Sequence, residues 1–316
     1  MPSSECGSPN TDRDASSAAG LWRAARTWGE MIKLSHSVFA LPFAIVAAML
    51  AGRRLDPPGP SVGQWVLVMV CMVAARSFAM TLNRIVDARI DACNPRTAGR
   101  PIPTGRISPR QAWCFALAAA TCFLLGCAGF QWIAGNPWPL RLGPIVLLYL
   151  AGYSYTKRIT SLSHFVLGLA IASAPVAAWI AIQPAGVGWS ALTLMFAAAA
   201  WIAGFDIIYA CQDVEVDRRE RLHSLPARLG IAPALWVSRG CHALTLILLA
   251  SLPQVEPLGQ VYSAGVIAVG LLLAWEQSLV RADDLSRVNL AFFTLNGVVG
   301  LVFAAMTIAD LLLRAA

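Results

Sequence analysis

Nine apolar stretches, each near the length that crosses a lipid bilayer, recur along this chain and leave it little choice of fold. A helix needs roughly 20 mainly apolar residues to span the hydrocarbon, where only helices and closed barrels satisfy their own backbone polar groups. The stretches run from Met31 to Ala51, Val62 to Ile90, Gln111 to Ile133, Leu140 to Tyr155, Leu162 to Ile182, Gly188 to Cys211, Ala232 to Leu252, Val261 to Val280 and Leu290 to Leu313. Short polar or Pro/Gly breaks separate them. With 57% of its 316 residues hydrophobic and 13% charged, the chain departs far from soluble usage. An all-α, polytopic membrane protein with nine transmembrane helices is expected. The first twenty residues lack the apolar core of a cleavable signal peptide, and residues 1–28 read as a disordered or amphipathic tail ahead of one transmembrane domain, 29–316.

Loops kept in the cytoplasm carry an excess of Lys and Arg. Placing the N-terminus inside puts eighteen basic residues on the cytoplasmic side, Lys33, Arg96, Arg100, Lys157, Arg158 and Arg219 among them. Only Arg53, Arg54, Arg141 and Arg314 then fall outside. The expected location is the inner membrane, with the C-terminus outside, and the net charge of +7 faces anionic lipid rather than nucleic acid. No groove-reading motif is present. The eight cysteines form no C-x-x-C or Cys/His cluster, so neither zinc nor a structural disulfide is expected.

Ionisable groups inside spans are costly, and each calls for a functional explanation. In "NRIVDARIDACNPRTAGRPIPTG", Asn83, Asp87 and Asp91 are spaced by four and share one helix face, with Arg76 two turns deeper. In "FDIIYACQDVEVDRRERLHSLPARLG", Asp206, Asp213 and Asp217 repeat the arrangement as a second stripe, with Tyr209 on its flank. A single D-x-x-x-D reads equally well as ordinary helix-end charge. Two of them, each closing a long apolar span on the same side and each followed by Arg, point to a shared site. Facing carboxylates repel unless cations lie between them, and carboxylate and Asn oxygens suit Mg²⁺, which completes its shell with phosphate oxygens. The ligand implied is a diphosphate, with nearby arginines, Lys157 and Arg158 as anion contacts.

These motifs resemble those of the UbiA family of intramembrane aromatic prenyltransferases. Asn83, Asp87 and Asp91 match its N-x-x-x-D-x-x-x-D, followed by the loop "NPRTAGRPIPTG". Asp206, Tyr209, Ala210, Asp213 and Asp217 match its D-x-x-Y-A-x-x-D-x-x-x-D. Further similarity lies in "LSHSVFALPFA" and "YSYTKRITSLSHFVLG". The likeness runs from about Lys33 onward and is nearest the 4-hydroxybenzoate polyprenyltransferase branch. The string "YACQDVEVDRRERLHSLPARLG" is similar to a bacterial subgroup that includes menaquinone enzymes of the futalosine route. Two positions depart from the common pattern: Arg84 stands where many members have Asp, and His223 with Ser224 where many have Lys-Ser.

The resemblance implies Mg²⁺-dependent transfer of a polyprenyl group from a polyprenyl diphosphate to a carboxylated aromatic ring, 4-hydroxybenzoate or 1,4-dihydroxy-6-naphthoate, in ubiquinone or menaquinone biosynthesis. Asn83, Asp87, Asp91, Asp213 and Asp217 would hold the metal. Arg96, Arg100, Lys157 and Arg158 would hold the diphosphate. Tyr153, with Tyr149, would face the allyl cation; each reads otherwise as an interfacial anchor. Arg76 would pair with the acceptor carboxylate, or else be neutralised by Asp206 or a carbonyl. Asp206 would orient or deprotonate the acceptor hydroxyl, or else serve as a structural partner. The helices should enclose a central cavity opening to the cytoplasm through a cap made by the loops after the second and sixth spans. A weak internal repeat is expected, since both pairs close even-numbered spans. No obligate protein partner is expected.

Other acceptors stay open, namely haem, homogentisate, chlorophyllide or a sugar phosphate. A cation-coupled transporter is the rival from another class, and it would place its charges at mid-depth in broken helices. His36, His164, His242, Glu276 and Asp310 read as structural.

Overall fold

The computed structural model describes residues 26–32, 39–53 and 55–314, and every regular element among them is helical. Residues 26–32 form α1, crossing the expected boundary at residue 28. It lays Met31 against Ile107 and Ala112 and stacks Trp28 on Phe115 at 4.5 Å, while Glu30 pairs with Arg106 at 2.9 Å. That bond to the Arg106 guanidinium holds the Glu30 carboxyl below its ordinary range. The rest of the tail, with Lys33 and His36, lies outside the described residues.

The long helices follow as α2 (Leu41–Gly52), α3 (Val62–Cys93), α4 (Pro109–Ala134), α5 (Trp138–Thr156), α6 (Ser163–Ile182) and α7 (Trp189–Ala210). Two short helices, α8 (Val214–Arg219) and α9 (Leu225–Leu229), lead into α10 (Ile231–Ser251), α11 (Gln260–Leu279) and α12 (Asn296–Leu313). Seven of these segments are long and apolar enough to cross a membrane. The chain is thus a multi-pass membrane protein by length and composition. The first and fourth expected spans fall short: α2 has 12 described residues, and α5 has 19, interrupted by Arg141 and Pro144.

Local chemistry explains where the helices begin and end. Ser61 and Ser108 each open a helix through a reciprocal capping box, with Gln64 and Gln111 respectively. Gly135 closes α4 at φ 63°, a left-handed conformation that costs glycine least. Asp310, read from sequence as partnerless, caps α11 from the far end of α12, accepting the Gly259 N–H at 2.7 Å and the Tyr262 N–H at 3.3 Å.

Helix α3 packs along α4, α6 along α7, α7 along α10, and α11 along α12, with α2 held by α6 and α12. Small residues permit the closest of these approaches. A Cβ on Gly168 of α6 would stand 2.5 Å from the Ala199 carbonyl oxygen of α7. The core they enclose centres on Phe43, Trp179, Trp201 and Phe303. Exposed tryptophans collect at both ends, with Trp132, Trp138 and Trp189 at one and Trp113, Trp236 and Trp275 at the other, as amphipathic rings do at two membrane interfaces.

Candidate active site

The two aspartate segments lie more than a hundred residues apart in sequence, yet they meet at one end of the bundle. Helix α3 runs 32 residues and carries Asn83, Asp87 and Asp91 on its final turns. The Asn83 amide donates to Asp87 Oδ2 at 3.3 Å, as residues four apart on one face should. Asp87 is 2% exposed and is bound by two cations from the end of α5: the Lys157 ammonium, and Arg158 Nη2 at 2.9 Å. Arg158 also donates to the Val86 carbonyl at 3.0 Å, which fixes its fork.

Asp91, also buried, accepts from Arg100 Nη1 at 2.6 Å through Oδ1. Its Oδ2 is buried without a hydrogen bond and stands 4.0 Å from Arg84 Nη1. Arg84, where the family commonly has an acid, therefore turns inward as a buried cation beside Asp91.

The second segment departs from the continuous stripe expected of it. The helix tightens to a 3₁₀ turn at Cys211–Asp213 before resuming as α8. At three residues per turn this rotates Asp213 away from ideal α-helical phase with Asp206. Tertiary bonds hold Asp213 there: Asn94 Nδ2 donates at 2.9 Å, Arg96 Nε at 3.0 Å, and Arg96 Nη2 forms an ion pair with it. Arg96 Nη1 also donates to the Tyr209 hydroxyl at 2.6 Å, and its guanidinium lies 4.9 Å from the centre of that ring. Burial is the largest single influence on Arg96 and opposes its charge, but the bond to Asp213 together with the charges of Tyr209, Asp213 and Asp91 outweighs it and holds the guanidinium above its ordinary range. Arg219 Nη2 bonds the Cys93 carbonyl at 2.7 Å, and the His223 N–H bonds the Lys157 carbonyl at 2.7 Å, so α8 and its following loop are stitched to α3 and α5. Asp217 lies near Ser224, with Lys157 and Asp213 among its charged neighbours.

Deeper in the bundle is a cavity of about 520 Å³, walled by α3, α4, α5 and α6, with Ala40 and Leu41 at the start of α2 and Met195 of α7. Its lining is almost wholly apolar, and among the described residues Arg76 is the one charged group on its wall. Tyr153 shares that wall and has Arg76, Arg84 and Asp87 as charged neighbours. Being one helical turn before Lys157, it joins the cavity to the carboxylate cluster. Tyr149 does not line the cavity; the residue is 37% exposed and its hydroxyl donates to the Val166 carbonyl.

Asp206 is bound not to Arg76 but to His164, whose Nδ1 lies 2.6 Å from Asp206 Oδ2. His164 Nε2 accepts the Leu225 N–H at 3.2 Å, so its proton sits on Nδ1 and is donated to Asp206. Sequence reasoning set His164 aside for want of metal spacing. It also did not single out Asn94, although Asn94 heads the quoted loop "NPRTAGRP".

The five oxygen-bearing residues expected to hold a metal are not gathered into a cage, and among the described residues no three His, Cys, Asp or Glu side chains are grouped as one would require. Instead, Asp87, Asp91 and Asp213 each have a basic partner. The donor set still fits a hard cation that takes one or two carboxylates and completes its shell with phosphate oxygens. The bond-free, buried Asp91 Oδ2 has acceptor capacity to spare.

Residues 40–298 match the UbiA prenyltransferase family. The chain is 28% identical over 288 residues to the 4-hydroxybenzoate octaprenyltransferase of Vibrio cholerae serotype O1, covering 89% of this chain and 96% of that one. It is 30% identical over 236 residues to the protein of the same name from Vibrio vulnificus, covering 74% and 79%. The apo structure of a UbiA homolog from Aeropyrum pernix K1 superposes with a TM-score of 0.76 at 30% identity, covering 87% and 98%. A UbiA homolog from Archaeoglobus fulgidus, solved bound to GPP and Mg²⁺, has the same fold at a TM-score of 0.70 and 21% identity, covering 90% and 99%.

Proposed function

The chain belongs to the UbiA prenyltransferase family, a family of transferases, and on that premise we propose that it transfers a polyprenyl group from a polyprenyl diphosphate to a carboxylated aromatic ring. The observation that carries this reading is the meeting of two aspartate segments, bridged by arginines, at the charged end of an apolar cavity whose wall bears Arg76 and Tyr153. An isoprenoid tail fits the apolar part, since it never has to leave apolar surroundings. A carboxylated ring fits beside Arg76, whose guanidinium binds carboxylates through two parallel bonds.

Asn83, Asp87, Asp91, Asp213 and Asp217 would hold Mg²⁺, which when bound neutralises the diphosphate and the charge growing on it as the allylic carbon–oxygen bond breaks. Lys157, Arg158, Arg100 and Arg96, now on aspartates, would turn toward the phosphate oxygens and stabilise the leaving group with charge already in position. The ring of Tyr153 would face the allyl cation. Asp206, oriented by the His164 Nδ1–H, would accept a hydrogen bond from the acceptor hydroxyl and raise the electron density of the ring that attacks. Loops 94–108 and 211–230 would cap the site on the cytoplasmic face of the inner membrane. We read α2 and α5 as completing nine spans, because 19 helical residues extend about 28 Å, close to the hydrocarbon thickness.

The test is turnover by purified protein in lipid with Mg²⁺ and a long-chain polyprenyl diphosphate, offered either 4-hydroxybenzoate or 1,4-dihydroxy-6-naphthoate. Prenylation of one of them is expected. Conversion of neither, in an assay where a control prenyltransferase works, would overturn the reading, and use of haem or homogentisate instead would redirect it within the family.

A further inference from the structure

A second set of buried polar groups lies among α7, α10, α11 and α12 and takes no part in the chemistry above. Glu276 and Asn296 are wholly buried and His242 is nearly so. From sequence, Glu276 and His242 each read as structural singletons; the fold brings them together. Polar groups at membrane depth are costly unless each is satisfied. Asn296 is the hub, its Nδ2 donating to Glu276 Oε1 at 2.7 Å and to the Ala291 carbonyl at 3.0 Å, and its Oδ1 accepting the Trp201 indole N–H at 2.6 Å. Glu276 Oε2 lies 3.8 Å from His242 Nδ1 and has no hydrogen bond. Gln277 Nε2 reaches His242 Nδ1 at 3.0 Å and Ser238 Oγ at 2.9 Å, and Ser238 donates to the Gly204 carbonyl at 2.8 Å. A Cβ on Gly204 would overlap the His242 ring, so this glycine is what lets α10 seat the network against α7.

The Ala291 carbonyl belongs to a π-helical turn, Leu290–Leu295, at the start of the last span. A π turn adds one residue to a helical turn and rotates the side chains it carries, and such turns cluster at functional sites. Here it seats Phe292 face to face with Tyr209, centroids 4.1 Å apart and planes 28° from parallel. Phe292 also meets Phe205 edge-on at 5.2 Å, and Phe205 in turn meets Trp201 at 5.3 Å. Tyr209 is the residue whose hydroxyl accepts from Arg96, and Arg96 holds Asp213.

We propose that Glu276 and Asn296 are positioning residues for the diphosphate site: they hold the π turn in the register that seats Phe292 against Tyr209, and through Tyr209 they orient Arg96 and Asp213. This rests on the function proposed above. The carboxylate bond to Asn296 anchors the turn from α11, and the Trp201 indole anchors it from α7. The network thereby ties α10, α11 and α12, which carry none of the motif aspartates, to the aromatic side chain that touches Arg96 among the described residues.

The test uses the full-length chain in lipid as wild type, E276Q, E276L and F292L. It reads kcat, KM for the prenyl diphosphate, the Mg²⁺ concentration giving half activity, binding of Mn²⁺ with inorganic diphosphate, and the melting temperature. E276Q keeps an oxygen acceptor for Asn296 and should stay within about threefold of wild type in KM, whereas E276L and F292L should raise KM and half-saturating Mg²⁺ by about tenfold, whether or not kcat falls with them. F292L removes the ring but retains apolar volume, so it carries the test should E276L fail to fold. Loss confined to stability or kcat, with KM and metal dependence unmoved, would overturn the proposal, as would E276Q proving as harmful as E276L. A wild type that binds Mn²⁺–diphosphate and turns over beside unaffected variants sinks this inference alone. A wild type that does neither sinks the functional reading and this inference with it.

Discussion

Asp87 is nearly inaccessible and carries two cations, Lys157 and Arg158, whose side chains remain about a third exposed. Removing its charge should leave those cations able to find water, so the protein should still insert and fold. In activity assays of membranes normalised for protein, D87N and D213N should each lose more than about 100-fold in turnover, the scale on which leaving-group stabilisation acts. Near-normal activity in either would remove the metal role from that residue. Arg76 makes a separable prediction, because it lines the cavity rather than the carboxylate cluster. A charge-assisted bond is worth about 1.5–3 kcal/mol, so R76L should raise KM for a carboxylated acceptor by roughly 10- to 100-fold while KM for the diphosphate stays put. An equal rise in both would place Arg76 on the diphosphate instead.

Among elements, the contact of α6 with α7 is the tightest test of the packing. Gly168 has the Ala199 carbonyl against it, so a side chain there pushes backbone apart rather than bending a neighbour. G168V should lower stability by about 1–3 kcal/mol, the usual penalty of overpacking. Gly152 on α5 has nothing near enough to meet a Cβ, and G152A should be neutral or stabilising by up to about 1 kcal/mol through helix propensity. Thermal denaturation of the two variants in the same detergent decides this; equal melting temperatures would mean that the α6–α7 seam has room for a side chain at Gly168. The seam matters for function because His164 lies in the first turn of α6 and Asp206 near the end of α7, so their approach sets the His164–Asp206 bond.

For the whole molecule, the proposed nine spans with the N-terminus inside would put the C-terminus outside and Cys93 on the cytoplasmic face. Cys93 is exposed at the end of α3. A membrane-impermeant maleimide should label it in inverted membrane vesicles and spare it in intact spheroplasts, scored against a variant lacking Cys93. The reverse pattern would invert the orientation argued from the basic loops. Removing divalent cations with EDTA should abolish turnover and added Mg²⁺ should restore it, whereas turnover indifferent to EDTA would contradict a metal-held diphosphate.

Helical spans were legible in the sequence because a bilayer imposes a length and an apolarity that any spanning helix must meet, and eight of the nine expected stretches coincide with long described helices to within a few residues. The first does so only from Leu41 onward among the described residues. Family membership and the residues to suspect were legible for a related reason: charge at helix ends is scarce in such a chain, so two aspartate repeats stand out. The partners were not. Asn94 and Arg96 on Asp213, His164 on Asp206, and Asn296 on Glu276 join residues from 20 to 119 positions apart. Hydrophobic periodicity says which face of a helix is buried but not which helix will cover it. The 3₁₀ turn at Cys211–Asp213 and the π turn at Leu290–Leu295 likewise leave no mark in composition, since each is a local departure held by tertiary bonds. The sequence alone therefore determined a bundle of spanning helices with acidic motifs at their ends; only the tertiary structure decided which cation sits on which carboxylate, because that depends on how the helices cross.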